Sequence, residues 1–309
     1  PGVQDSRLKY NEVSWRVALK QIITNDINVY ASINRGFKAG SYSLQSPLND
    51  PYLPQFITAY EAGIKSELFD RKLRLNISAF HYDISDYQVR SAVVTNGVPG
   101  SSLVLNAATV KVDGVDLEFE AAPTKAIRIF GGATLLDSRF GKFGGAGASI
   151  QAPITYPNAN SNPLDSTRCV ATGSKEPGRV GSGPLTGGFT TCFGDASGNR
   201  TMNAPKLTAS LGASYNLDIG ETGSLRLSAL YNYNSGYVFE ADNVQRQKKY
   251  DLINGSIEYK FNENLGIELW GRNLANTKYA IQKISTSGIA VTSAVAAPRT
   301  YGGNMNINF

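Results

Sequence analysis

The stretch L-T-A-S-L-G-A-S-Y-N-L from Leu207 to Leu217 is followed, after residues 218–223, by S-L-R-L-S-A-L-Y-N-Y-N from Ser224 to Asn234. The first puts Leu207, Ala209, Leu211, Ala213 and Tyr215 on one face, away from Thr208, Ser210 and Ser214. The second puts Leu225, Leu227, Ala229, Tyr231 and Tyr233 opposite Arg226, Ser228, Asn232 and Asn234. A strict period of two marks a strand with one apolar and one polar face.

The same alternation recurs on both sides of this pair. Val13, Trp15, Val17 and Leu19 oppose Ser14, Arg16 and Lys20; Leu73, Leu75, Ile77 and Ala79 oppose Arg74, Asn76 and Ser78. Val115, Leu117 and Phe119 oppose Asp116, Glu118 and Glu120, and Tyr301, Met305 and Ile307 oppose Asn304, Asn306 and Asn308. No stretch shows a helical period, so the chain reads as all-β. Strands are expected at about 12–24, 27–38, 56–69, 72–86, 102–120, 125–138, 203–217, 224–236, 248–261, 265–282 and 298–309.

Alternation alone does not separate a soluble sandwich from a membrane barrel. Length does: most of these strands reach a dozen residues, against about 5–6 in ordinary globular sheets and about 9–11 for a tilted bilayer crossing. The connections also alternate. Short ones at 25–26, 70–71, 121–124, 218–223 and 262–264 interleave with long ones at 39–55, 87–101, 139–202, 237–247 and 283–297. Outer-membrane barrels have this layout, with short periplasmic turns and long extracellular loops.

Composition agrees. Charged residues are 18% of 309, against about 25% in soluble domains. No apolar run reaches the roughly 18 residues of a membrane helix. With a single histidine, His81, most His-based triads and His-cluster metal sites cannot be built, which argues against an enzyme; His81 reads as an interfacial residue of the fourth strand. The net charge of +5 is scattered, which argues against a nucleic-acid partner. Eleven strands is an odd number, whereas single-chain bacterial barrels are even with both termini periplasmic. The expectation is therefore a C-terminal piece of a longer barrel.

Several stretches resemble the TonB-dependent receptors of Gram-negative outer membranes. V-Y-A-S-I-N-R-G-F-K-A-G-S-Y from Val29 to Tyr42 is similar to a mid-barrel strand of that family, and Y-E-A-G-I-K-S-E-L-F-D from Tyr60 to Asp70 to its next strand. N-A-A-T-V-K-V-D-G-V-D-L-E-F-E from Asn106 to Glu120 resembles another. G-R-N-L-A-N-T-K-Y from Gly271 and P-R-T-Y-G-G-N-M-N-I-N-F from Pro298 to Phe309 together resemble the family's C-terminal signature. The resemblance implies an antiparallel barrel of 22 strands, of which residues 1–309 would supply the last eleven. It places a plug domain and a TonB box upstream, and through them a partnership with the TonB inner-membrane complex. It implies active uptake of a scarce nutrient such as a ferric siderophore, with no covalent chemistry and no cofactor. A passive porin-type channel and a surface β-sandwich adhesin are the alternatives.

Tyr301, Gly303, Met305, Ile307 and Phe309 resemble the signal read by the outer-membrane assembly machinery, and equally suit a strand facing outer-membrane lipid. Cys169 and Cys192 are the only cysteines and lie in the longest loop. An even pair in an oxidising, extracellular setting reads as a disulfide, worth about 3 kcal/mol in the chain-entropy account. Candidate ligand contacts are Arg35, Tyr42, Arg139, Phe140, Tyr237 and Arg246, because guanidinium and aromatic groups suit anionic or aromatic chelates.

Overall fold

A computed structural model of the chain describes residues 7–42, 51–95, 98–143, 146–151, 169–171, 189–194, 196–241, 243, 245–286 and 290–307. Its strands are β1 (Trp15–Ile22), β2 (Ile27–Lys38), β3 (Gln55–Leu68), β4 (Leu73–Thr95), β5 (Val98–Ala121) and β6 (Ile127–Phe140). They continue with β7 (Ala146–Gln151), β8 (Cys169–Ala171), β9 (Phe189–Gly194), β10 (Leu207–Asp218), β11 (Ser224–Asn234) and β12 (Tyr237–Val238). The last are β13 (Arg246–Gln247), β14 (Tyr250–Lys260), β15 (Leu265–Arg272), β16 (Ala280–Thr286), β17 (Ala290–Val295) and β18 (Thr300–Ile307).

Eleven of these form one sheet in the order β1-β2-β3-β4-β5-β6-β10-β11-β14-β15-β18, each antiparallel to its neighbours. It is an up-and-down meander, open at β1 and β18. The remaining strands are small sheets built within the long connections: β7-β9-β8, β12-β13 and β16-β17.

The eleven expected strands correspond one to one with this sheet, with two differences. The first concerns 87–101, read from sequence as a loop. There β4 and β5 keep pairing out to Thr95↔Val98, beyond a register shift between Ile84 and Tyr87. Asp86 takes a left-handed φ of 54° at that shift, absorbing the bulge and letting the ladder resume. The second concerns 265–282, which is two strands. β15 stops at Arg272 because Asn273 and Asn276 turn left-handed (φ 49° and 54°). The Asn273 side chain then holds the turn, accepting from Thr277 N–H at 2.8 Å and donating to the Thr277 carbonyl at 3.0 Å.

Register fixes the two faces, since directly paired residues point the same way. One row runs Leu19–Ala31–Ala62–Ala79–Val115–Leu135–Leu207 across seven strands. This face is apolar and uncovered: Leu19 is 75% exposed, Leu135 56% and Leu269 62%. Among the described residues no second sheet, which a sandwich would need, covers it, and an apolar face of this extent belongs in lipid. The buried cluster lies elsewhere, at the long-loop end, where Val89, Val110, Phe140, Phe143, Ala196 and Ala241 pack together.

The opposite face is polar and carries a device that alternation does not reveal. In four direct cross-strand pairs an aromatic ring lies over a glycine: Tyr30 over Gly63, Phe80 over Gly114, Phe130 over Gly212 and Trp270 over Gly302. A Cβ on Gly212 would come within 2.4 Å of Phe130 Cζ, and one on Gly114 within 2.2 Å of Phe80 Cζ. The rings therefore lie flat along the inner wall, covering backbone that glycine leaves open.

Candidate functional site: a charged inner wall under an aromatic mouth

The inner face pairs its charges along and across the strands. Arg128 Nε donates to Glu120 at 2.7 Å, and Arg74 lies between Glu67 (3.7 Å) and Glu120 (3.9 Å). Glu258 faces Lys260 at 3.8 Å, the Tyr30 hydroxyl donates to Glu61, and Asn304 donates to Glu268 at 3.0 Å. Arg272 sits over the Trp270 ring at 5.1 Å and Lys65 over Tyr30 at 5.6 Å. Most of these ion-paired side chains are more than a third exposed, so each pair adds little stability. What they do is make a wet wall of both signs, with a groove of about 400 Å³ lined by Arg128, Arg226, Glu268, Trp270 and Arg272.

At the long-loop end this wall finishes in an aromatic mouth. Tyr250, the first residue of β14, shares the inner face with Asn254 and Glu258 and stacks on Tyr279 with ring centroids 4.2 Å apart. Tyr250 lies above Ile253, the last outward apolar residue of its strand, and above the outward Asp251, so it stands clear of the apolar band. Tyr237 packs edge-on against Phe239 at 5.2 Å, and its hydroxyl donates to the Ala280 carbonyl at 3.1 Å. Lys283 Nζ lies 5.9 Å from the Phe239 ring centre and donates to the Arg246 carbonyl at 3.1 Å. The β12–β13 hairpin and the β16–β17 hairpin are thus joined around the rings, a link completed by Ala280 N–H donating to Gln247 Oε1 at 2.7 Å.

Burial first, then the neighbouring Tyr237 and Tyr279, pushes the Tyr250 phenol up to about 12. Burial raises Tyr237 as well. Both remain neutral at physiological pH; with the Tyr237 proton given to Ala280 and the Tyr250 hydroxyl bonded to Tyr237, what they offer is ring faces rather than phenolate oxygens.

The six ligand candidates do not converge. Tyr237 belongs to the mouth, and Arg246 is paired opposite Val238 on the same hairpin. Arg35 is on the outward face, in register with Trp15 and Thr58, donating to Thr58 Oγ1 at 2.7 Å and lying over Phe56. Arg139 is outward too, paired opposite Lys111. Phe140 is 2% exposed and fills the buried cluster, and Tyr42 is half-buried just past β2, next to the isolated Ser41↔Tyr52 bridge. Tyr250, Tyr279, Phe239 and Lys283 were missed. Their only sequence signal is that Tyr279 closes the G-R-N-L-A-N-T-K-Y stretch.

Of the assembly-signal residues, Tyr301, Gly303, Met305 and Ile307 lie on β18, where Met305 is 63% exposed and in register with Ile267; Phe309 lies outside the described residues. The backbones of Cys169 and Cys192 come together on neighbouring strands, Cys169 opposite Gly194 and Cys192 opposite Ala171. His81 is outward, with Nδ1 2.7 Å from Asp113 and Nε2 3.2 Å from Asp83.

An antiparallel meander with a lipid-ready outer face, a charged inner face and long loops gathered at one end defines an outer-membrane β-barrel wall. The family model described as TonB dependent receptor-like, beta-barrel matches residues 1–274, and the chain belongs to that family. The barrels of this family lie in the outer membrane of Gram-negative bacteria, and the long-loop end is the extracellular one. Among curated proteins, the chain is 24% identical over 128 residues to the metal-pseudopaline receptor CntO of Pseudomonas aeruginosa, a match covering 41% of this chain and 17% of that protein. Its fold is similar to the ferric yersiniabactin uptake receptor FyuA of Yersinia pestis (TM-score 0.68, 18% identity, 95% of this chain, 37% of that one). It is also similar to the siderophore receptor PiuA of Acinetobacter baumannii (TM-score 0.66, 18% identity, 95% and 35%). The chain thus spans little more than a third of the length of these solved relatives.

Proposed function

We propose that this chain forms part of the barrel wall of an outer-membrane receptor for active, TonB-dependent uptake of a scarce nutrient, most simply a ferric siderophore. The observation that carries this reading is the aromatic mouth of Tyr237, Tyr250 and Tyr279 directly above a charged inner wall. An aromatic chelate can stack there, and a wet lumen of both signs suits passage of a polar complex. The family's receptors bind such ligands, and the relatives above are a ferric yersiniabactin uptake receptor, a siderophore receptor and a metal-pseudopaline receptor. The uptake involves no covalent chemistry. Energy coupling would come from a plug and a TonB-contacting segment outside residues 1–309, and Tyr301, Gly303, Met305 and Ile307 would serve recognition by the assembly machinery.

The test is growth of a strain lacking this protein on single chelated-iron sources, with and without TonB. Loss of growth on one ferric siderophore, reproduced by loss of TonB, supports the reading. Unchanged growth on every chelated source, with altered permeation of small solutes, would indicate a passive channel instead.

A further inference from the structure

At the long-loop end β14 outlasts its neighbour. It pairs with β15 only from Gly255 to Lys260, so the stretch from Tyr250 to Asn254 rises with no strand of the main sheet on that side. The segment 273–279, which belongs to no strand, takes that place. At its lower end Asn273 N–H donates to Asn254 Oδ1 at 2.9 Å and Leu274 N–H to the Ile253 carbonyl at 2.8 Å. At its upper end Tyr279 stacks on Tyr250.

Between these ends the segment hangs on one side chain. Asn273 is 7% exposed, and its amide is engaged through both of its polar atoms. Oδ1 accepts Thr277 N–H at 2.8 Å, while Nδ2 donates to the Thr277 carbonyl at 3.0 Å and to the Ala297 carbonyl at 3.3 Å. Thr277 leads into β16 and Ala297 leads out of β17, so a single amide ties both feet of that hairpin to the top of β15. Tyr279 lies just past Thr277, and its carbonyl accepts Ala296 N–H at 2.9 Å. Fixing the two feet therefore fixes where the Tyr279 ring lies. The left-handed φ of 49° at Asn273 would suit glycine equally well, but glycine has no amide to offer. Aspartate has the right size, yet as a carboxylate it donates nothing and would turn an oxygen towards the Thr277 and Ala297 carbonyls.

We propose that Asn273 is the positioning residue of the aromatic mouth: by joining Thr277 to Ala297 it holds Tyr279 against Tyr250. It acts through the Tyr279 ring rather than by touching a ligand. The turn has further supports, with Arg299 N–H donating to Asn276 Oδ1 at 3.1 Å and Arg299 Nη1 to the Leu274 carbonyl at 3.2 Å. Those bonds fasten the approach to β18 onto the turn, and neither of them reaches Thr277 or Tyr279. The part of Asn273 in ligand capture rests on the uptake reading above; its hold on Tyr279 does not, and is measured without a ligand.

The experiment uses the assembled protein in detergent, with Tyr250 as the reporter. Tyr279 covers one face of the Tyr250 ring, so the Tyr250 phenol, pushed up to about 12 by burial first, is rewetted if Tyr279 moves away. Its titration is isolated as the tyrosinate absorbance of each protein minus that of the same protein carrying Tyr250→Phe. The difference curve should move from about 12 towards 10 in Asn273→Asp, in Asn273→Gly and in Tyr279→Ala, and no further in Asn273→Asp/Tyr279→Ala. Tryptic cleavage after Lys278, followed by mass spectrometry, should become about tenfold faster in both Asn273 variants as the feet of the hairpin come free. Heat-modifiable gel migration should stay normal. A curve that remains near 12 in both Asn273 variants, or unchanged cleavage after Lys278, would overturn the proposal. So would a shift that Tyr279→Ala does not reproduce, or a further shift in the combined variant, since Asn273 would then act on Tyr250 through Asn254. Loss of normal migration in both Asn273 variants would make Asn273 a residue of barrel assembly and overturn it as well.

Discussion

Tyr250 and Tyr279 stack with their planes 10° apart, joining the top of β14 to the segment that follows β15. The contact is tertiary: it clamps the two sides of the mouth and fixes the orientation of both rings. Tyr250→Ala and Tyr279→Ala should each weaken ligand binding about tenfold, in line with 0.5–1.5 kcal/mol for the aromatic contact itself plus lost burial. Heat-modifiable migration should stay normal. Binding measured on whole cells with a labelled ferric siderophore would check this, and undiminished affinity in both variants would remove the mouth from the site.

The same pair makes a pH prediction. The folded Tyr250 pKa, raised from 10.0 to about 12, means the native state holds its phenolic proton more tightly than the unfolded chain does. The stabilisation is therefore fully present below pH 10 and is lost as pH rises through about 12. The tyrosinate absorbance of wild type minus that of Tyr250→Phe should show one group titrating near 12, and a difference curve centred near 10 would contradict it.

The two faces give a third test. Leu211 and Leu227 are outward, 50% and 40% exposed, whereas Ser210 and Ser228 share the inner face. Leu211→Arg or Leu227→Arg should cost about 2–4 kcal/mol near the bilayer midplane and impair assembly. Ser210→Arg and Ser228→Arg should assemble. Equal damage from both classes would show that lipid and lumen have been exchanged.

Gly212 should tolerate no side chain, since a Cβ would meet three atoms of the Phe130 ring within 2.9 Å. Gly212→Ala should destabilise the barrel by about 1–3 kcal/mol through overpacking. Gly212→Ala combined with Phe130→Leu should recover part of that loss. Urea-unfolding midpoints followed by tryptophan fluorescence would measure both, and additive losses would mean the ring and the glycine do not interact.

Cys169 and Cys192 are brought onto neighbouring strands, Cys169 opposite Gly194 and Cys192 opposite Ala171. A Cys169–Cys192 bridge is expected in exported protein, where the compartment is oxidising. Thiol labelling of intact cells should detect two groups only after reduction. Two labelled thiols without reductant would show that no bridge forms.

The alternation of Leu211 with Ser210 and of Ile77 with Ser78 was enough to determine the strands, their facing and the lipid-exposed band. Each strand has to match lipid on one side and water on the other, and that constraint is local and periodic. The same locality explains the misread regions. Pairing of β4 with β5 beyond Asp86 depends on a bulge, and the end of β15 depends on Asn273 reaching Thr277. The site was hidden for a stronger reason. Tyr250, Tyr279 and Tyr237 are brought together by hairpins distant in sequence, and Asn273 meets Ala297 only because the β16–β17 hairpin returns the chain to the top of β15. Nor does an arginine or phenylalanine in isolation say on which side of the wall it falls. The register of a whole sheet settled that, turning Arg35 and Arg139 outward and burying Phe140, because only paired strands fix which residues are neighbours across the chain.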